Sequence, residues 1–143
     1  MTLTAAAPSA TPSSGLLRRA VFAIGVLTVV TGAVQVFVPG WVLGVIGSPG
    51  DPGATARTSF AIVGMFMVLF GGLLLHVLAN EHTRKSGEIA LFWCAAQKLA
   101  ASIAVTLGVW SGVFGPLALT VALLDFVSAV LFYVYRARAK ALV

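Results

Sequence analysis

Long apolar runs and short polar breaks alternate along the chain. Apolar stretches cover about 16–38, 54–79, 88–110 and 116–135. Each reaches the ~20 residues that a helix needs to cross a hydrocarbon core of about 30 Å. Pro39-Gly40 ends the first run, since proline cannot continue a helix. Trp41–Gly47 is short and amphipathic, which predicts a segment lying at the membrane interface. Ser48–Gly53 is a turn cluster, with Asp51 expected to cap the second helix and Pro52 to open it. Glu81–Gly87 is a polar loop, and Ser111-Gly112 with Gly115-Pro116 marks an uncharged turn. Strands are excluded, because an open sheet cannot satisfy its backbone in lipid and a barrel needs alternating residues.

The pattern predicts an all-α fold: four transmembrane helices in an antiparallel bundle, with an amphipathic segment after the first. Residues 1–15 are rich in Ala, Ser, Thr and Pro and read as a disordered tail, leaving 16–143 as one membrane domain. Arg18-Arg19 ahead of an apolar run resembles a signal peptide. Ala20–Val38 exceeds the usual length of such a core, and no Ala-x-Ala site follows, so retention as an anchor helix is expected.

Composition agrees with this reading. The 143 residues are 59% hydrophobic and 9% charged, and mean hydropathy is +1.04. Soluble domains hold about 45–50% apolar and about 25% charged residues, so part of this surface must face lipid. The net charge of +5 sits in runs beside the apolar segments. That fits membrane orientation and argues against nucleic acid as a partner. Arg18, Arg19, Arg84, Lys85, Arg136, Arg138 and Lys140 fall at the two termini and in the 81–87 loop. Arg57 alone falls on the opposite side. The positive-inside rule therefore puts both termini in the cytoplasm, in a protein of the cell membrane.

Two ionisable residues stand deep within apolar runs. Lys98 is ten residues past Glu88, and Asp125 is nine past Pro116. A charge at mid-bilayer costs about 2.5–3.5 kcal/mol on insertion scales. Opposite charges at matching depth on consecutive helices are therefore expected to pair. Lys98 shares its face with Cys94, Ala95, Ala101 and Ser102, and Asp125 shares one with Ala118, Ala122, Ser128 and Ala129. Small residues mark faces where membrane helices approach closely. Arg57 shares a face with Ala61, Gly64, Val68 and Gly71, and Gly25, Thr28, Thr31, Gly32 and Gln35 form a stripe on the first helix. The stripes are expected to converge, with Lys98 and Asp125 at mid-depth and Arg57 and Gln35 nearer the outer side. Gln97, one residue from Lys98, either cross-links a neighbouring helix or meets the same ligand.

Such a cluster serves one of two ends. It fixes helix register, or it forms a polar pocket within the bilayer. Counting Arg57, it carries one excess positive charge, which suits an anionic or carbonyl-bearing amphiphile or a quinone. The ligand-binding candidates are Gln35, Arg57, Gln97, Lys98 and Asp125, and the catalytic candidates are Asp125 and Lys98. No metal is expected: His76, Glu81, His82 and Glu88 gather near the cytoplasmic surface without a ligand repeat and read as solvated. No nucleotide loop or haem motif is present, and the lone Cys94 reads as core.

Pro39 with the Trp41–Gly47 turn, Arg57 with Gly64, Gln97-Lys98-Leu99, and Asp125-Phe126-Val127-Ser128-Ala129 together resemble small bacterial four-helix membrane proteins of the broad DoxX-like kind. The resemblance implies the architecture and, through some relatives, a link to quinone-dependent redox assemblies. It assigns no catalytic residue.

Three functions remain open. The first is a binding or accessory subunit holding a lipid, a quinone or a partner helix. The second is a small membrane isomerase or cyclase acting on an isoprenoid-like substrate, with Asp125 as acid/base and Lys98 or Arg57 as charge stabiliser. The third is a proton-coupled carrier, which would require a homo-oligomer.

Overall fold

A computed structural model describes residues 12–80 and 84–141. Residues 1–11 of the tail expected at 1–15, and Glu81, His82 and Thr83 of the expected loop, lie outside the described residues. Five helices are present among those described: α1 (Pro12–Phe37), α2 (Pro39–Val45), α3 (Gly53–Ala79), α4 (Arg84–Trp110) and α5 (Ala118–Ala141). The four longer ones are long and apolar enough to cross a membrane, the architecture of a multi-pass membrane protein.

The helix ends follow from local chemistry. Val38 precedes a proline and leaves the helical region at φ −134°, so α1 stops and α2 starts afresh at Pro39. Gly47 and Gly112, both at positive φ, close α2 and α4 in the same way. Ser48 N–H donates to Leu43 C=O and Val113 N–H to Gly108 C=O, each reaching back five residues. That is the Schellman motif, which needs a left-handed residue that glycine supplies at little cost. After Gly112 the chain runs through a turn, so the fourth long helix begins at Ala118 and not at Pro116. Leu119 and Thr120 bond back three residues to Pro116 and Leu117, a 3₁₀-type entry. Other expected boundaries move too. α4 starts at Arg84, within what reads as the 81–87 loop, because nothing in Arg84–Gly87 stops a helix, and α5 runs on through the basic residues to Ala141. The first long helix reaches back to Pro12, and the second starts at Gly53 with Pro52 as its cap residue. Asp51 still serves that end from one residue outside, accepting the Gly53 N–H at 3.1 Å.

The helices form a ring. α1 lies along α3 and α4 along α5, while α3 meets α4 and α5 meets α1. The small-residue stripes make the contacts. Gly32 and Gly64 let the α1 and α3 backbones touch: a Cβ on Gly64 would lie 2.7 Å from Gly32 O and 2.6 Å from Gln35 Cβ. Cys94 Sγ is 3.5 Å from Phe70 O, joining α4 to α3. Ala118, Ala122, Ser128 and Ala129 of α5 are buried. Outward faces carry exposed large apolar residues such as Val30, Phe66, Ile103 and Leu123.

The two halves of the ring differ. Toward the 80s loop it is solid: Val21, Leu74, Leu78, Leu91, Cys94, Ala95 and Phe132 form one core drawn from all four long helices. Toward α2 it is hollow.

Candidate functional site

The hollow half encloses a cavity of about 420 Å³. This falls within the range of about 300–1,000 Å³ typical of small-molecule sites. Its walls come from all five helices, and α2 closes one end with Trp41, Val42 and Ile46. Gly115 N–H donates to Ile46 C=O at 3.1 Å, tying the end of α2 to the turn before α5. Leu27 of α1 and Leu124 of α5 line the cavity, yet are 55% and 60% exposed. Val63 of α3 is likewise a lining residue and exposed, so the cavity opens sideways to the outer surface through an apolar frame.

Lys98 and Asp125 face this cavity. The Lys98 ammonium nitrogen Nζ donates to Asp125 Oδ1 at 2.6 Å, and the two side chains are 7% and 14% exposed. The direct contact follows from their depth: a buried charge without a counter-charge carries a desolvation cost that pairing offsets.

Register places the remaining polar groups. Cys94 meets Phe70, and Gly32 meets Gly64 and Met67. Lys98, one turn on from Cys94, comes level with this part of α3 and so with Thr31 and Gly32 of α1. Gln35 stands one further turn toward α2, about 5 Å along the axis. It lines the cavity, and its Oε1 is buried with no donor in reach. Gln97 lines the same cavity beside Lys98.

The hydroxyls are already engaged. Thr28 donates to Ile24 C=O at 2.8 Å, Thr31 to Leu27 C=O at 2.8 Å and Ser128 to Leu124 C=O at 2.6 Å. Such bonds to the preceding turn satisfy a hydroxyl within its own helix. Their oxygens can still accept, but with their O–H donors spent, the cavity's other polar groups are Gln35, Gln97, the Lys98–Asp125 pair and the Trp41 indole.

Arg57 departs from expectation. It does not line the cavity. Its guanidinium donates to Asp51 Oδ1 at 2.5 Å, and the pair is exposed, at 48% and 74%. The Asp51 carboxyl is held below its ordinary 3.8 by the Gly53 N–H and then by Arg57. Arg57 also lies against Gly40 of α2, bracing that helix from outside. Its reach toward Asp51, six residues back across the helix start, overrides the face it shares with Gly64. The excess positive charge expected of the cluster is thus absent from the cavity.

Two contributions were not readable from the stripes. One is α2 as the end wall. The other is Phe114, which lines the cavity from the turn after α4. The α1 stripe also divides: Gly25 and Gly32 pack on α3, Thr28 and Thr31 turn to the cavity, and Gln35 does both, with its Cβ beside Gly64 and a place in the cavity wall. Near the other end, His76 sits beside Asn80, whose side-chain amide donates to His76 C=O at 2.8 Å.

No family model matches the chain, and neither a curated protein nor a solved structure matches it significantly.

Proposed function

We propose that this is a multi-pass protein of the cell membrane that holds a lipid-like or quinone-like amphiphile in the cavity between its helices. The observation that carries the reading is that Lys98 and Asp125 pair inside a cavity and not inside packed core. A pair serving register alone needs no space beside it. Intramembrane ionisable groups usually mark ligand or proton sites, and a sideways apolar opening suits a ligand that arrives from lipid. An antiparallel bundle with both termini cytoplasmic belongs to the same proposal. Falling residue numbers on α3 against rising ones on α1, from Arg18–Leu78 to Gly32–Gly64, support the packing. The basic residues near the termini and Arg84-Lys85 at the start of α4 support the orientation. Kinship with the DoxX-like proteins is also proposed, on the residues of α2 and its turn, α3, α4 and α5 that carry the resemblance.

A second reading, a small membrane isomerase or cyclase, draws on Asp125 itself. Its carboxylate reaches the cavity, where it could serve as acid/base toward a hydrophobic substrate.

Native mass spectrometry of the gently solubilised full chain tests the proposal. The expected result is a discrete bound mass of amphiphile size. A bare chain, or a stable complex with other polypeptides and no small ligand, would overturn it. Turnover of the captured ligand, abolished in Asp125→Asn with folding intact, would establish the enzymatic reading.

A further inference from the structure

We infer that the cavity selects an uncharged amphiphile whose head group is a hydroxyl, a long-chain or polycyclic alcohol and not a fatty acid, phosphate or amine. The inference rests on the reading that the cavity takes a membrane amphiphile, and it specifies the head group.

Charge comes first. Lys98 and Asp125 engage each other at 2.6 Å. As an ion pair, or with the proton shared, the two together carry no net charge. Arg57, the other cation expected at the cluster, is bound to Asp51 outside the cavity. A charged head would enter a low-dielectric site with no unmatched counter-charge, or would have to break the pair. Either is costly.

Hydrogen bonding comes second. Gln35 Oε1 is buried in the cavity wall without a donor, and a buried acceptor left empty carries a desolvation penalty. A ligand that relieves it must donate. About one turn away, Lys98 retains donor capacity, because an ammonium has three N–H groups and Asp125 Oδ1 takes one. A ligand oxygen there must accept. A hydroxyl does both with one atom, whereas a carbonyl only accepts. Thr28, Thr31 and Ser128 donate their hydroxyl protons within their own helices, so none of them supplies the donor that Gln35 Oε1 lacks.

The test uses the full chain in detergent with four probes on one hydrocarbon chain: oleyl alcohol, a matched methyl ketone, oleyl sulfate and oleyltrimethylammonium. Retention is read by native mass spectrometry. The alcohol should be retained about five-fold more than the ketone, the worth of one net hydrogen bond, and more strongly still than either permanent ion. Gln35→Met should bring the alcohol down to the level of the ketone. If the ketone or an ion matches the alcohol, the head-group inference fails while the amphiphile site stands. If no probe is retained, both fail. Should Gln35→Met not fold, the ranking of the four probes on the unaltered chain decides alone.

Discussion

Lys98 Nζ touches Asp125 Oδ1 across the α4–α5 interface, and the same two side chains form part of a cavity wall. Contact and cavity together separate two energetic roles. Removing one partner leaves a buried charge unmatched, a loss of about 3–5 kcal/mol. Lys98→Met and Asp125→Leu should each lower thermal stability in detergent by that order. The double variant should recover most of the loss. Additive losses in the double-mutant cycle would mean that the two residues do not depend on each other.

Gly32 and Gly64 set the α1–α3 distance. A Cβ on either would lie 2.7 Å from the other's carbonyl oxygen, and backbone cannot yield as a side chain does. Gly64→Ala should destabilise by about 1–3 kcal/mol. Gly72→Ala on the same helix, with open space around the added carbon, should be neutral or stabilise by up to about 1 kcal/mol. Melting temperatures of the two variants make the comparison.

Cys94 is 3% exposed in the core shared by four helices. A polar maleimide should leave the folded protein unlabelled and react only as the bundle unfolds. Rapid labelling at native conditions would show that the solid half opens.

Asp51 and Arg57 lie outside the cavity, and their pH dependence has a definite sign. A depressed carboxyl contributes stability that is fully present above its unfolded value of 3.8 and is lost as pH falls through the lowered folded value. Stability should therefore be insensitive to this pair between about pH 5 and 8, where the carboxylate stays ionised in both states. Arg57→Leu should leave ligand retention unchanged. A large loss of retention in that variant would return Arg57 to the binding cluster.

Much of this was legible in the sequence. The four spans follow from length and hydropathy, and the Lys98–Asp125 contact follows from opposite charges at matched depth on consecutive helices. Small residues on the α3, α4 and α5 stripes foretold which faces pack. What could not be read was where packing stops. Gly25, Gly32, Thr28, Thr31 and Gln35 form one stripe in sequence. Only the angle at which α1 meets α3 divides it into a contact face and a cavity face. Arg57 shows a related limit: helical periodicity gives the face of its Cα, but a long side chain near a helix end follows the nearest carboxylate. The closure by α2 depends on the Gly115–Ile46 hydrogen bond, which joins two turns distant in sequence.

Filling the cavity asks whether it holds a ligand at all. Ala101 lines it at half-buried depth, three residues from Lys98, and Ala101→Phe would occupy its space while leaving the Lys98–Asp125 pair intact. Native mass spectrometry of the unaltered and filled proteins, both taken from the same membranes, should show a bound amphiphile on the first and its loss from the second, with both chains folded. An equal bound mass on the two proteins, or none on the unaltered one, would show that the cavity is not a ligand site.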